Sequence, residues 1–458
     1  MANGRFPLLY LVLVLVGFVC AIRCNEVDHY KVHRHGEEEG RNPYVFKEEE
    51  QERRLATDAG EIRAVPLFRE FSTLVRDLEN YELNFFHMKP DAFMRHHYSG
   101  ADHLSFVLQG KARIQCVRKE KSMEENLDRG NLLFIPRGSM LSIVNNDPRE
   151  ELIMVNLLYN PNPYRQRHHE SFYPVDMLNA FRRESLEAAF KVRSEDIERM
   201  FSRQDQRVFR FLSREEREKI MGRDDSQLSS FWPLKTRKGE AEEEHNKPFN
   251  LEKKDAKYSN KNGKYMEVDS EDYRPLKRQE DRNSMGVGYT RIEPGKITVP
   301  YWHSHAFTIC VVVRGPGMLQ MHPRGGKQQT EAAKGKGEEN QNGNARRREE
   351  GEGEFRVSYR RVESELRVGD VFVMPAGHAS VQMASSERLE FLTFFVNFDR
   401  DSGNFLAGNN SVLKQLREEQ LAADFGVERK EMQRMIGSQD KAVFVDGPRG
   451  SRSLWSIV

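Results

Sequence analysis

A short unit that occurs twice in this chain constrains the fold more than any other feature of the sequence. Residues 130–138 read GNLLFIPRG and residues 369–377 read GDVFVMPAG, with both glycines and the proline in the same register. The apolar run inside each unit is too short for a helix and is rich in strand-forming residues. The Pro-x-Gly exit ends the strand and permits a tight bend. Two copies in register predict a duplicated β domain.

A second repeat follows each strand-rich region. Residues 186–209 align without gaps on residues 421–444, and the shared positions include Leu186 with Leu421. A β unit followed by a helical segment therefore occurs twice. The length of 458 residues suits about two domains of ordinary size.

Short strands separated by turn residues are predicted in both halves of the chain. Their number and spacing favour a β-barrel or jelly roll over a parallel sheet. The predicted strands are 82–89, 104–117 with a turn at Gly110, 131–135, 152–158, 287–291, 308–321, 355–361, 371–374 and 389–398.

Helices are predicted after each strand-rich region. Ser213 and Glu216 form a capping box that starts one helix. Residues 411–421 carry an apolar stripe on a second predicted helix. We expect such a stripe to pack on a partner subunit.

The N-terminal region reads as a secretory signal. The only long apolar stretch runs from Leu8 to Cys20 and follows Arg5, which is short for a membrane span and suited to a signal peptide. We therefore predict a signal peptide over 1–24 and no stable membrane span. The net charge of +1 shows no excess of one sign, so no nucleic-acid partner is expected.

Polar segments divide the rest of the chain. Residues 25–58 are rich in Glu and Arg and are predicted to be a disordered extension. By the same criterion, residues 325–354 are a disordered loop within the second β region and 235–247 are a linker. The domains are thus predicted at 59–234 and 248–447, with a tail over 448–458.

The cysteines do not form a disulfide framework. Cys20 lies in the predicted signal and Cys24 at its edge, whereas Cys116 and Cys310 each lie in an apolar strand pattern. We expect the last two to be buried strand residues.

Together, these features resemble a known family. The Gly-x5-Pro-x-Gly unit is similar to the second sequence motif of cupins, and its double occurrence resembles the bicupin seed storage globulins of the vicilin (7S globulin) type. The resemblance implies a mainly β fold of two cupin jelly-roll barrels, each followed by a helical arm. It rests also on NPYVF at 42–46, KPFNL at 247–251, PAGH at 375–378 and NFLAG at 404–408, while FWP at 231–233 resembles vicilin-like sucrose-binding proteins.

The resemblance also implies a function. A storage globulin is a non-enzymatic nutrient reservoir, accumulated as homotrimers through the helical arms in the protein storage vacuole and mobilised by proteolysis at germination. An extracellular location is the alternative to the vacuole. Two other functions stay open, namely a sucrose- or copper-binding vicilin-like protein and a germin-like metalloenzyme.

Catalytic cupins place histidines and a glutamate from the first motif, and a histidine from the second, around one metal ion. Counting back from Gly110 puts His96, Tyr98 and His103 at the first-motif positions of the first half, and Leu141 takes the second-motif histidine position. A leucine cannot bind a metal. His96, His97 and His103 are interpreted instead as polar residues near a barrel mouth.

In the second half, the same count gives Tyr301, His303 and Thr308, with Ser380 at the second-motif histidine position. This set lacks the enzyme ligands too. No catalytic residue and no required cofactor are therefore predicted.

A displaced metal site is nevertheless predicted in the second half. Tyr301 and His303 share one face of a strand, because side chains alternate with period two, and His378 lies in the turn before Ser380. By resemblance, some vicilins hold copper through two such histidines and a cysteine, whose position Tyr301 takes here. We predict that Tyr301, His303 and His378 bind copper or zinc weakly; the alternative is that His378 only hydrogen-bonds backbone. His305 is a spare candidate.

One modification is predicted. Asn409-Asn410-Ser411 is a sequon for N-glycosylation at Asn409, at the start of a predicted helix of a secreted protein.

Overall fold

The computed structural model describes residues 42–68, 73–119, 121–161, 173–202, 207–221, 247–277, 284–322, 327–329, 357–359, 361–398, 401 and 403–448. The predicted signal peptide, residues 25–41 of the extension, residues 235–246 of the linker, most of the 325–354 loop and nearly all of the tail lie outside these residues, and so does the 231–233 motif.

The described residues between 42 and 221 form strands and short helices connected by turns. The strands are β1 (Val45–Phe46), β2 (Glu52–Ala56), β3 (Gly60–Ala64), β4 (Tyr81–Met88), β5 (Ala92–Tyr98), β6 (Asp102–Gln109), β7 (Lys111–Arg118), β8 (Lys121–Asp128), β9 (Asn131–Ile135), β10 (Met140–Asn145), β11 (Leu152–Tyr159) and β12 (Phe209–Phe211). The α-helices are α1 (Pro174–Leu178), α2 (Arg183–Phe190), α3 (Ser194–Ser202) and α4 (Arg214–Met221), and 3-10 helices span Glu48–Glu50 and Thr73–Leu78.

Residues 247–448 repeat this pattern. The strands are β13 (Phe249–Asn250), β14 (Tyr258–Asn260), β15 (Gly263–Val268), β16 (Met285–Ile292), β17 (Lys296–Thr298), β18 (Tyr301–Trp302), β19 (Phe307–Arg314), β20 (Gly317–His322), β21 (Lys327–Gln329), β22 (Val357–Tyr359), β23 (Val362–Leu366), β24 (Val371–Met374), β25 (Ala379–Ala384), β26 (Leu389–Val396), β27 (Asn404–Phe405) and β28 (Phe444–Asp446). The α-helices are α5 (Glu418–Phe425) and α6 (Arg429–Gly437), and 3-10 helices span Leu251–Lys253, Arg274–Leu276 and Val412–Gln415.

The strands form two main antiparallel sheets in each half, and the strand orders correspond; β21 and β22 form a separate two-stranded sheet in the second half. In the first half the orders are β13-β9-β6-β11-β4-β3-β2 and β12-β5-β10-β7-β8. In the second half they are β1-β24-β19-β26-β16-β15-β14 and β28-β17-β25-β20-β23, with β18 paired to β25 and β27. Buried side chains from both sheets of the first half form one hydrophobic cluster, so the sheets pack face to face as a jelly roll. The predicted mainly β fold of two jelly-roll domains is confirmed.

The first strand of each half crosses to the other barrel. Strand β1 pairs with β24 of the second barrel, Val45 opposite Phe372, and β13 pairs with β9 of the first barrel, Phe249 opposite Leu132. The prediction of disorder over 25–58 is therefore wrong for residues 42–58. The Glu-rich composition of that window concealed three consecutive apolar residues, Tyr44 to Phe46, which are all buried.

The barrels also share a core. One hydrophobic cluster contains the interior of the second barrel together with side chains of the first-half sheet that faces it. Phe106 of β6 stacks on Tyr289 of β16 with ring centroids 6.5 Å apart. The two barrels are thus joined by a continuous apolar contact as well as by the exchanged strands.

The duplicated arm is a helix pair followed by a strand. In the first arm α2 and α3 precede β12, and in the second arm α5 and α6 precede β28. Leu186 and Leu421, which the repeat aligns, are both buried. The aligned Phe209 and Phe444 are also buried, each in the strand that closes its arm.

One predicted helix is broken and another is confirmed. Residues 411–421 do not form a single helix, because Leu416 has an extended backbone (ψ 157°) after the 3-10 turn and α5 begins only at Glu418. The capping box is present as predicted: the amide of Glu216 donates to Ser213 Oγ at 3.2 Å, and the amide of Ser213 donates to Glu216 Oε2 at 2.8 Å.

Several local predictions can be compared with the structure. Strands 131–135 and 371–374 are observed with the predicted bounds, and Cys116 and Cys310 are buried and free. Part of the predicted 325–354 loop is ordered, since β21 (Lys327–Gln329) pairs with β22. Among the described residues, no helix combines the length and the apolar character needed to cross a membrane.

Candidate functional site

Tyr301 and His303 line one cavity in the second barrel. Their rings meet edge to face with centroids 5.9 Å apart, which confirms that they share a face. The cavity offers about 40 Å³ to the centres of water molecules, enough for a few waters. Its lining includes Lys257, Tyr265, Glu267, Thr298, Thr308, Thr393, Phe395 and Phe405.

His303 follows strand β18 and is held by its neighbours. Its carbonyl oxygen accepts from the amide of Gly377, the last glycine of the repeated unit, at 2.7 Å. The side chain is 8% exposed, and its Nδ1 is buried without a hydrogen-bond partner. Burial lowers the pKa of His303 to about 4, Asp401 opposes this shift and Lys257 adds to it. The imidazole is therefore neutral at pH 7.

Asp401 fixes the loop that carries His303. Its carboxylate is buried and accepts from the amides of His305 and Ala306, both at 2.7 Å. His305 is exposed in this loop, because β18 ends at Trp302. The spare candidate His305 therefore does not lie on a strand face with Tyr301.

Tyr301 belongs to a buried hydrogen-bond network. It lies opposite Ser380 on the neighbouring strand, and its hydroxyl is hydrogen-bonded to the side chains of Ser380 and Gln382. Gln382 Nε2 donates to Ser380 Oγ at 3.0 Å, and Thr298 Oγ1 donates to Gln382 Oε1 at 3.1 Å. Burial raises the pKa of Tyr301 well above its usual range. The position of the second-motif histidine is thus occupied by neutral hydroxyl and amide groups.

His378 does not join the other two predicted ligands. Its ring lies against Tyr44 of the first half, with centroids 5.7 Å apart, and it is absent from the lining of the cavity. Its Nδ1 is 3.2 Å from the carbonyl oxygen of Ala376, which agrees with the alternative of a backbone hydrogen bond. Among the described residues, no three His, Cys, Asp or Glu side chains are grouped so as to hold a metal ion. The predicted set of three therefore does not fit a single metal site.

A charged pair on the opposite wall was not predicted. Lys257 Nζ lies 2.6 Å from Glu267 Oε1, and the hydroxyl of Tyr265 donates to Glu267 Oε2 at 2.5 Å. Tyr265 and Glu267 are two residues apart on β15 and so point to the same side of the sheet. The alternation of side chains along β15 was the only sign of this pair in the sequence. Alternation alone does not show whether polar residues face the barrel interior or the solvent.

The first barrel contains a different set at the corresponding positions. The amide of Gly138 donates to the carbonyl oxygen of Ser99 at 2.8 Å, so Ser99 corresponds to His303. His97 lies opposite Leu141, as Tyr301 lies opposite Ser380. The placement of His96 and Tyr98 in the motif is therefore wrong by one residue, and both are exposed.

The reason is the length of one connection. The chain from Ser99 to His103 is one residue shorter than the chain from His303 to Thr308, and a count without gaps from Gly110 cannot detect this. A shift of one residue moves every side chain to the opposite face of a strand.

The first-barrel residues do not cluster as ligands. His96 Nε2 is 3.0 Å from Gln115 Oε1, and His103 Nε2 is 2.5 Å from Ser99 Oγ. Leu141 is buried in the hydrophobic cluster of the barrel. On β4, burial raises the pKa of Glu82 to about 7, with Arg54 opposing.

The predicted glycosylation residue is exposed. Asn409 lies in a turn, and its side-chain amide donates to the carbonyl oxygen of Asp440. Ser411 of the same sequon caps the following 3-10 helix, accepting from the amide of Leu413 at 3.2 Å. Glycosylation of Asn409 stays a prediction.

Comparisons with known proteins agree with this architecture. The family model described as Cupin matches residues 79–198 and 249–433. A vicilin from Pistacia vera is 31% identical over 89% of this chain and 70% of its own length, and a vicilin from Juglans regia is 31% identical over 90% of this chain and 79% of its own length. The crystal structure of vicilin from Corylus avellana superposes with a TM-score of 0.71 and 29% identity, covering 89% of this chain and 100% of that one.

Proposed function

The chain belongs to the cupin family as a vicilin-like 7S globulin, and we propose that it is a seed storage protein. The observation that carries the proposal is its similarity to vicilins along almost the whole chain. The barrel interiors support it, because Leu141 lies in an apolar core and Ser380 in a neutral hydrogen-bond network. A reserve protein needs a compact and durable fold rather than a reactive group.

Assembly as a homotrimer through the arms is part of the proposal. Phe190 and Phe425 occupy aligned positions in the two arms and are 49% and 55% exposed, and the aligned Met200 and Met435 are 48% and 54% exposed. Large apolar side chains exposed at matching places favour a contact between subunits. The vicilin resemblance implies that the arm of one subunit packs on the opposite end of its neighbour.

The trimer can be tested by light scattering coupled to size exclusion. The double variant Phe190→Ser with Phe425→Ser should elute as monomers at a concentration at which the unmodified protein is trimeric. Leu74→Ser is the matched control, since Leu74 is 55% exposed but lies outside the arms. Trimers of normal stability in the double variant would show that the arms are not the contact.

Storage further implies delivery through the secretory pathway to a vacuole and breakdown at germination. The abundance of the chain tests this role. Quantitative mass spectrometry should find it among the most abundant proteins of the mature seed and nearly absent from leaf and root. Comparable trace amounts in all organs would contradict the proposal.

A second candidate function is binding of a copper or zinc ion or a small ligand at His303. The observation that favours it is the buried Nδ1 of His303, which has no partner and belongs to a cavity that Tyr301 also lines. Elemental analysis of native protein would detect a bound metal. If metal is present at this site, His303→Ala should release it and His378→Ala should not, because His378 lies outside the cavity; retention of the metal by His303→Ala would place it elsewhere.

Sucrose binding and germin-like catalysis have no comparable support in the geometry. Equilibrium dialysis tests sucrose binding, and saturable uptake of sucrose would support it. Oxidase or dismutase turnover by the native protein would support germin-like catalysis.

A further inference from the structure

The segment that begins the first half is built into the second barrel. Tyr44, Val45 and Phe46 are each at most 3% exposed and belong to the cluster that includes the second-barrel interior. Strand β1 covers the edge of β24, where the amide of Val373 donates to the carbonyl oxygen of Tyr44 at 2.9 Å. Phe46 packs edge to face on Phe68, with centroids 5.4 Å apart.

Polar contacts fix the residues that follow β1 to the repeated unit of the second barrel. Lys47 Nζ lies 3.0 Å from Asp370 Oδ2, and the amide of Glu48 donates to Asp370 Oδ1 at 3.1 Å. Gln51 Nε2 donates to the carbonyl oxygen of Gly369 at 2.8 Å. The side chain of Asp370 is 2% exposed, so removing Lys47 leaves a buried carboxylate without its counterion.

The first barrel has the reciprocal arrangement without the buried charge. The amide of Leu251 donates to the carbonyl oxygen of Gly130 at 2.9 Å, and Asn250 Nδ2 donates to that of Arg129 at 3.1 Å. Asn131 stands where the second barrel has Asp370, since its Oδ1 accepts the amide of Asp128 as Asp370 accepts that of Arg367. Each barrel is therefore closed by the entry segment of the other. The ion pair of the N-terminal segment ends on a buried carboxylate, Asp370, whereas the ion pair of the other segment, Arg129 with Glu252 at 3.2 Å, is exposed.

We propose that residues 42–51 form a clasp that makes the stability of the second barrel depend on the N-terminal segment, and that this clasp sets the limit of N-terminal proteolytic trimming. Removal of residues before Asn42 breaks none of these contacts. A cut between Phe46 and Glu52 frees β1, uncovers the edge of β24 and withdraws three buried side chains from the shared core. The first region to unfold after such a cut is then β24 of the second barrel, although the cut lies in the first half of the chain. The role of the clasp as a limit to proteolytic trimming rests on the proposed storage function. The role of the clasp in stabilising the second barrel does not.

Hydrogen exchange of the full chain tests the clasp. Lys47→Ala should speed exchange of the Val373 amide and the rest of β24 by about tenfold or more, because hydrogen bonds to charged groups are among the stronger ones. The protection of β9 should not change. Asn250→Ala is the matched control and should speed exchange in β9 but not in β24. The proposal would be overturned if Lys47→Ala reduced protection only in the first half of the chain and Asn250→Ala only in the second.

Truncation tests the trimming limit. A chain that begins at Asn42 should protect β24 as the unmodified chain does, whereas a chain that begins at Gln51 should lose that protection. If the shorter chain does not fold, Asp370→Asn replaces it, since this change removes the charge and keeps the shape. Limited digestion of the unmodified protein should leave a core that starts at or before Asn42. A stable core that starts after Glu52 with β24 still protected would refute the clasp, and it would leave the seed-abundance test of storage unaffected.

Discussion

The two barrels of this chain have corresponding strand orders and different interiors. In the first barrel, Glu82 and His103 lie on the strands on either side of Leu158. In the second barrel the corresponding residues are Gly286 and Thr308, on either side of Phe395. A Cβ on Gly286 would lie 2.5 Å from the ring of Phe398, and that ring stacks on Phe395 with centroids 4.4 Å apart.

The comparison shows which features the duplication keeps. Backbone features recur, among them the turn glycines that donate to Ser99 and His303. Interior side chains differ: where the first barrel has Glu82 and His103, the second has Gly286 and Thr308 beside the stacked rings of Phe395 and Phe398. The two barrels therefore share a backbone arrangement and differ in the side chains of their interiors.

The largest expected effect concerns a position that the barrels share. Phe209 and Phe444 are both fully buried, each where its arm returns to its barrel. Phe209→Ala and Phe444→Ala should each lower the free energy of unfolding by about 3–5 kcal/mol, through lost transfer energy and a cavity. Denaturant titration measures this.

Phe190→Ala is the control for these two variants, since Phe190 is half exposed and its removal should cost less than about 0.5 kcal/mol in the isolated subunit. If only one of Phe209→Ala and Phe444→Ala lowered the free energy of unfolding by less than about 1 kcal/mol, the two arms would not be equivalent.

A large pH effect is expected from the first barrel. The pKa of Glu82 rises from 4.5 to about 7 on folding because of burial, so the folded state holds the proton more tightly between these values. The stabilising contribution of Glu82 is therefore present below pH 4.5 and is lost as the pH rises through 7. Relative to the unmodified protein, Glu82→Gln should gain up to about 3 kcal/mol between these limits. Unfolding titrations at a series of pH values test this, and a difference independent of pH would contradict it.

The second barrel should respond to pH with the opposite sign. Burial lowers the pKa of His303 from 6.5 to about 4, so the unfolded state binds the proton more tightly. The contribution of His303 is present above pH 6.5 and is lost as the pH falls through 4. The unmodified protein should thus lose up to about 3 kcal/mol relative to His303→Gln on acidification. If both variants shift stability in the same direction, the contrast between the barrels is wrong.

The smallest effect concerns the helix that follows the first arm. This helix, α4, begins with the capping box of Ser213 and Glu216. Ser213→Ala should destabilise that helix by about 1 kcal/mol, whereas Ser213→Thr should keep most of the capping energy. Amide exchange within α4 gives the measurement, and equal exchange in the two variants would remove the capping box from the account.

Local pattern was sufficient for much of the fold. Strands 131–135 and 371–374 were predictable because glycine and proline bound short apolar runs, and Cys116 and Cys310 because they lie in apolar alternation. The crossing of β1 and β13 was not predictable, because strand partners far apart in the chain leave no trace in local composition. The charged residues around Tyr44 to Phe46 made the composition of the segment typical of disorder, and this concealed the buried strand.

The candidate site was predictable only in part. The rings of Tyr301 and His303 meet as strand alternation predicted, although β18 ends at Trp302. The place of His378 depends on Tyr44 from the other half of the chain, which no count along the second half can reveal. In the first barrel, a difference of one residue in a connection moved the correspondence from His96 to His97.

The fate of the chain at germination tests the central proposal most directly, namely that the protein is kept as a reserve. Peptides from both barrels should be quantified in mature seed and through seedling growth. We predict that the intact chain is abundant at first and that peptides of both barrels then decline until little remains. Persistence of the intact chain at its initial level in established seedlings would contradict the account.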